Sequence, residues 1–248
     1  MQYPLRFCLF AIEILINILT MIGGFMKNHT FFFVFFLVAI FSFATMAQSP
    51  WTQQTANGLI SSANPAVTLS AVDENVCWGI NTINWQYLRT TNGGANWTVS
   101  TITGGATGSI GYSITALDAN TAWATTSSGI FKTTDGGLTW GKQTTAFPSG
   151  GYPNVIHFFD SNNGVCVGDP NGGYWAIFTT MNGGTNWTRV PSVNIPSPLS
   201  GELGIPGNRV ITIGNNFWFS TFMASLYRTT DRGITWTVTR NVVGNSGF

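Results

Sequence analysis

Thr133-Thr134-Asp135-Gly136-Gly137-Leu138-Thr139-Trp140 decides the reading of this chain, because the same eight-residue pattern occurs four times. The other copies are Thr90-Thr91-Asn92-Gly93-Gly94-Ala95-Asn96-Trp97, Thr180-Met181-Asn182-Gly183-Gly184-Thr185-Asn186-Trp187 and Thr229-Thr230-Asp231-Arg232-Gly233-Ile234-Thr235-Trp236. Their tryptophans follow one another at steps of 43, 47 and 49 residues. A repeat of this length with β-type composition is the mark of stacked four-stranded units. In this pattern Thr-Thr, β-branched, closes a strand, Asx followed by Gly-Gly makes a tight turn (Arg232-Gly233 in the last copy), and the tryptophan buries its ring at the start of the next strand. Two copies carry Asn where two carry Asp, so the turn needs a side-chain oxygen rather than a charge. The box residues Asn92, Gly94, Trp97, Asp135, Gly137, Trp140, Asn182, Gly184, Trp187, Asp231, Gly233 and Trp236 are therefore read as structural.

These residues resemble the Asp-box, or BNR, repeat, Ser/Thr-x-Asp-x-Gly-x-x-Trp, over about residues 51–240. The Thr-Thr-Asp-Gly-Gly-x-x-Trp form is most similar to the photosystem II stability/assembly factors and the sortilin-like receptors. It also looks like the secreted propellers of Gram-negative bacteria that carry a C-terminal sorting domain. The resemblance implies an all-β Asp-box propeller with the box on a blade hairpin, away from the functional face. Rings of six or more blades are usual in that family, so four repeats imply part of a larger ring or a four-bladed one. Trp51-Thr52-Gln53-Gln54-Thr55 matches the strand that follows each box, without strands of its own upstream.

Before the repeats, residues 26–47 have the layout of a secretory signal: a short basic start at Met26-Lys27, an apolar run from Phe31 to Ala44, and Thr45-Met46-Ala47 before Gln48. Export to the cell surface or medium is the expectation, with an uncleaved membrane anchor as the alternative. Residues 1–25 read as an upstream extension or a further hydrophobic segment. Residues 48–248 form the propeller, and they contain eight basic and eight acidic side chains. With no basic run, nucleic acid is a poor partner, and membrane contact is expected only through the N-terminal segment.

Cys77 and Cys166 are read at one repeat phase, as packed thiols too far apart to bridge. No metal pattern and no cofactor motif is present; Asp160 opens a calcium-like triplet, but its twelfth position is Asn171 rather than a bidentate Glu. In the second repeat the strands A to D are expected at 112–117, 121–125, 130–134 and 138–143. The A–B turns, Asp73-Glu74-Asn75, Asp118-Ala119-Asn120 and Asp160-Ser161-Asn162, then share one end of the blades with the boxes. The opposite end carries the variable D–A segments 104–111, 144–153 and 191–207 and the B–C segments 81–86, 126–129, 169–173 and 221–225.

Binding usually resides on such variable loops. Trp85, Tyr87, Tyr152, Tyr174 and Trp175 lie in or beside them and are the expected contacts for a protein or glycan ligand. Catalysis has one pair of candidates, Asp169 and Glu202, the acids that belong to neither box nor turn; two carboxylates across a cleft are what a glycosidase needs. His157 reads as a packed or channel-lining residue. A non-catalytic binding or assembly module is the preferred function, and a glycoside hydrolase the alternative.

Overall fold

The computed structural model describes residues 67–105, 109–143, 147, 151–207 and 210–240. The chain divides at Gln53–Gln54, and all described residues belong to the second unit. The signal-peptide reading, the upstream extension and the Trp51 strand lie outside the described residues.

Among the described residues, sixteen strands make four sheets. Blade 1 contains β1 (Val67–Ala71), β2 (Cys77–Asn81), β3 (Gln86–Thr90) and β4 (Thr98–Thr101). Blade 2 contains β5 (Gly111–Ala116), β6 (Ala122–Thr126), β7 (Gly129–Thr133) and β8 (Gly141–Lys142). In blade 3 they are β9 (Pro153–Phe158), β10 (Gly164–Asn171), β11 (Tyr174–Thr180) and β12 (Thr188–Arg189). Blade 4 has β13 (Val210–Ile213), β14 (Asn216–Ser220), β15 (Leu226–Thr229) and β16 (Thr237–Thr239). Each sheet is an antiparallel meander in chain order, so the chain is a β-propeller of four recognisable blades. The first strands of blades 1, 2 and 3 lie next to one another.

The expected fold and strand count hold, with edges moved by one or two residues. The largest change is in the fourth strand of blade 2, which starts only after Trp140. Residues before it are committed to the box: Thr139 N–H donates to Asp135 Oδ1 (3.0 Å) and Trp140 N–H to Thr103 Oγ1 of the preceding blade (2.9 Å).

The box is held from inside by its first threonine. Thr133 Oγ1 donates to Asp135 Oδ1 (2.8 Å) and accepts from Gly137 N (2.9 Å). Thr90, Thr180 and Thr229 make the same two bonds. Gly94, Gly137, Gly184 and Gly233, at one position of the four boxes, have φ between 86° and 95°, a conformation that disfavours a side chain. The A–B turn is an Asx turn in blades 1 to 3: Asp73, Asp118 and Asp160 each accept two backbone N–H bonds through Oδ1. One backbone bond then ties the two turns of each blade together, from Gly93 to Asn75, Gly136 to Asn120, Gly183 to Asn162 and Arg232 to Asn215. Boxes and acidic turns therefore share one end of the blades and serve the fold.

Among the described residues three clusters form the core, and each fills one interface between successive blades. Trp78, Ile80 and Tyr87 of blade 1 meet Ile114, Phe131 and Trp140 of blade 2. Trp123 and Ile130 meet Phe158, Phe178 and Trp187; Val165, Val167 and Ile177 meet Phe217, Phe219 and Trp236. This assembly is hydrophobic burial repeated at every joint.

The register separates the two cysteines. Cys77 pairs with Thr90, whereas Cys166 pairs with Phe178, two residues further along its strand from the box. They do not share a repeat phase: the A–B turn is equally long in both blades, but Cys77 opens β2 whereas Cys166 is the third residue of β10. Cys166 is fully buried, and desolvation raises its thiol well above the ordinary range.

Candidate functional site

At the end opposite the boxes, one segment departs from the repeat. After β12 the chain makes a turn of 3-10 helix (Ser192–Asn194), then crosses toward β13 by way of Leu199-Ser200-Gly201-Glu202-Leu203-Gly204. Glu202 organises this crossing. It is 2% exposed, and its Oε2 accepts from Leu199 N (2.8 Å), closing a turn whose other bond runs from Glu202 N to Leu199 O (3.1 Å). Oε1 accepts from Thr221 Oγ1 (2.7 Å) and Oε2 from Tyr227 Oη (3.3 Å). Arg240 extends the network through Ser197 O (2.6 Å) and Tyr227 Oη (3.3 Å). Burial alone would raise the Glu202 carboxyl; the hydrogen bonds outweigh it, and the group titrates below its usual range.

Asp169 pins the other side. Its Oδ1 accepts from Asn154 Nδ2 (2.6 Å) and from Gly204 N (3.0 Å), so blade 3 holds the far end of the same crossing. Burial is the leading influence and raises this carboxyl. Asp169 belongs to β10 rather than to a B–C loop of 169–173, because β10 continues to Asn171 and leaves only Gly172-Gly173 as the turn.

Glu202 is thus buried and Asp169 half-buried, each bonded to the crossing rather than standing free on a loop. Both oxygens of Glu202 and Oδ1 of Asp169 are engaged in holding one loop. A glycosidase pair needs two carboxyls facing a cleft, one of them free to pass its proton to the leaving oxygen.

The crossing clasps the β14–β15 turn. Gly204 bridges to Thr221, Phe222 N donates to Leu203 O (3.1 Å), and Ala224, at φ 53°, turns the chain back. The two loops thereby display Leu199, Leu203, Phe222 and Met223 together, with Phe222 67% exposed. A Cβ on Gly201 would lie 3.5 Å from Met223 Cε, so the methionine lies over the crossing. Exposed apolar side chains grouped in this way mark an interaction site.

The aromatics expected on this end divide. Tyr152 and Tyr174 are about half exposed, and Tyr152 meets Tyr112 edge-on at 6.3 Å. Trp85 is partly buried. Tyr87 and Trp175 are each 2% exposed and are corrected to core residues. Tyr87 points toward the box end, where its Oη donates to Gly137 O (3.0 Å). Trp175 packs against Phe219 (5.3 Å) and Tyr227 (5.1 Å), beneath Gly204. Strand alternation explains both: a residue beside a loop still faces the neighbouring blade if its phase is inward. Leu199, Leu203, Phe222 and Met223 were not among the expected contacts, because the expectation rested on tryptophan and tyrosine beside the loops and none of the four is either. The signal was present as two adjacent apolar residues, Phe222-Met223, inside a turn of five.

Among the described residues, no group of three or more His, Cys, Asp or Glu side chains could hold a metal ion.

No curated protein matches the chain. Among solved structures it is similar to YCF48 from Cyanidioschyzon merolae (18% identity over 72% of this chain and 56% of that one, TM-score 0.53). It is also similar to virginiamycin B lyase from Staphylococcus aureus (21% identity, 75% and 59%, TM-score 0.55) and to the GH74 enzyme of Niastella koreensis (16% identity, 72% and 30%, TM-score 0.54). The chain thus spans 30–59% of the lengths of these three neighbours, and at such identities they establish the propeller fold alone. The family model for photosynthesis system II assembly factor YCF48 matches residues 124–247, half of the chain and three of its four boxes. Together with the four blades and their repeated Thr-x-Asx turns, that match places this chain in the YCF48-type BNR propeller family.

Proposed function

We propose that this propeller is a non-catalytic binding or assembly module whose ligand is an apolar protein segment, taken by the Leu199–Leu203–Phe222–Met223 surface. The observation that carries this is the immobilised crossing: a buried carboxylate and its hydrogen-bond network present four large apolar side chains to solvent. Two of these, Phe222 and Met223, suit a peptide with bulky side chains, since aromatic anchors dominate binding energy and methionine adapts to varied shapes. Membership of a family described as an assembly factor agrees with a module that holds a protein rather than converts a substrate. Tyr152 and Tyr174 supply further exposed rings for the rim. Export through the N-terminal segment, to the cell surface or medium, is part of the same proposal.

A library of displayed peptides tests the reading. Selected peptides should be rich in large apolar residues, and Phe222→Ala with Leu203→Ala should weaken their binding by at least about 30-fold, the equivalent of about 2 kcal/mol. The double variant should keep the parent melting temperature. Undiminished binding by the double variant would refute this surface as the site.

A further inference from the structure

The strand ladder slips by one residue at the same place in two neighbouring blades. In blade 2, Gly111 pairs with Thr126 and Ser113 with Thr125, which leaves Tyr112 as the extra residue at the start of β5. In blade 3, Pro153 pairs with Gly168 and Val155 with Val167, which leaves Asn154 as the extra residue at the start of β9. Each bulged carbonyl is held by another segment. Tyr112 O accepts from Thr68 Oγ1 of blade 1 (3.1 Å), and Asn154 O accepts from Gly207 N, beyond the crossing (3.2 Å). A bulge re-aims the side chain it carries. One of these brings the Tyr112 ring to Tyr152; the other brings Asn154 Nδ2 to Asp169 Oδ1.

The two tyrosine rings stand at 65° to each other with centroids 6.3 Å apart, so they make a corner rather than one flat platform. Tyr152 is 48% exposed, and the corner is open to solvent. Asp169 stands beside it, its N–H donating to Tyr152 O (3.2 Å). Gly168 permits that approach, since a Cβ there would lie 2.6 Å from Tyr152 O. Burial raises the Tyr112 phenol first, followed by the Tyr152 hydroxyl and the Asp169 carboxylate, so the acid is within electrostatic reach of the ring pair.

The carboxylate is only half used. Among the described residues, both hydrogen bonds to its side chain fall on Oδ1, and no basic side chain pairs with it. Oδ2 keeps its capacity to accept, and a half-buried charge is costly to leave without a partner. A neutral hydroxyl would leave that charge unbalanced. A cation balances it and is attracted to the faces of the rings as well.

The corner also adjoins the apolar surface. Gly204 N donates to Asp169 Oδ1 (3.0 Å), and the same glycine bridges to Thr221, the neighbour of Phe222. Asp169 and Phe222 therefore flank the crossing, roughly 10 Å apart, which is about three residues of extended chain.

We propose that Tyr112, Tyr152 and Asp169 form a subsite for a basic side chain, an ammonium or guanidinium, carried by the protein segment that the apolar surface takes, about three residues from its apolar anchor. That the cation comes from this segment rests on the proposed binding function; the chemistry of the subsite does not.

The test titrates the full chain, labelled with 3-fluorotyrosine, with acetylarginine amide and with acetylcitrulline amide, which has the same shape without the charge. The resonances of Tyr112 and Tyr152, assigned with Tyr112→Phe and Tyr152→Phe, should shift saturably with the arginine probe and stay in place with the citrulline one. Asp169→Asn keeps an oxygen for Gly204 N–H and should weaken arginine binding about tenfold or more. Tyr152→Leu should weaken it about fivefold. Phe222→Ala should leave the amide probe unaffected and weaken both acetyl-Phe-Leu-Ala-Ala-Arg and its citrulline counterpart, whereas Asp169→Asn should weaken only the arginine peptide. Equal responses to the two amides, saturable shifts with cellobiose instead, or undiminished arginine binding by Asp169→Asn would each overturn the subsite. Peptide binding that ignores Phe222→Ala while the arginine amide still binds would overturn the shared segment and the apolar surface, and leave the cation subsite standing.

Discussion

Thr139 Oγ1 donates to Asp135 Oδ2 at 2.5 Å, and Thr235 Oγ1 does the same for Asp231 Oδ2 at 2.5 Å. In the two boxes built on asparagine, the corresponding residues are Asn96 and Asn186, whose N–H groups donate to Asn92 and Asn182 Oδ1 at 2.9 Å. The shared element is one side-chain oxygen receiving the backbone; the second carboxylate oxygen exists together with a hydroxyl to occupy it. Charge at the box is thus a local matter between residues four apart.

Asp135 therefore titrates low, at about 2, chiefly through the Thr139 hydroxyl and then the Thr139 N–H. A carboxyl depressed in the folded state stabilises it above the unfolded value and loses that contribution as pH falls through the folded value. Thr139→Ala should move the acid-induced loss to higher pH. Asp135→Asn should leave the urea midpoint at neutral pH almost unchanged and remove this site's share of the acid response. Urea titrations at neutral pH and between pH 4 and 2 check both. A large neutral-pH loss in Asp135→Asn would mean that the charge itself holds the box.

The box tryptophans differ in worth because their neighbours differ. Trp140 meets Trp78 edge-on (6.2 Å) and Tyr87 (5.5 Å) across the first joint. Trp140→Ala should cost about 3–5 kcal/mol. Trp97, half-buried in blade 1, should cost about 1–2 kcal/mol when cut to Ala. Denaturant unfolding of the two variants gives the comparison.

His157 lies 4.7 Å from the Phe159 ring and 6.0 Å from Phe217. Burial lowers its pKa from 6.5 to about 4, so the folded ring is neutral over a range where the unfolded ring takes a proton. Stability is then lost as pH falls from about 6.5 towards about 4. His157→Phe should flatten melting temperature against pH across that window, and an unchanged slope would assign the dependence elsewhere.

The fold was legible because the box states its own geometry: threonine, Asx and glycine at fixed offsets admit one hairpin, and the tryptophan fixes the period. The Asx turns at Asp73, Asp118 and Asp160 were equally plain, since that side chain bonds the backbone two residues on. Inward or outward facing was harder. Tyr87 and Trp175 stand at strand edges, where one residue of register decides between core and surface. Glu202 could not be placed, because a carboxylate in a long connection is buried only if its partners, here Thr221 and Tyr227 of the next blade, come from elsewhere in the chain. The stacking of Arg89 over the Trp78 ring was hidden for the same reason, two strands forming one side of a joint.

The central claim, a binding surface rather than a catalytic one, is tested most directly by offering the same purified protein a peptide panel and a polysaccharide panel. The account predicts retention of apolar peptides that depends on Phe222, with no release of reducing sugar. Sugar release abolished by Asp169→Asn or Glu202→Gln, in variants shown to remain folded, would contradict it.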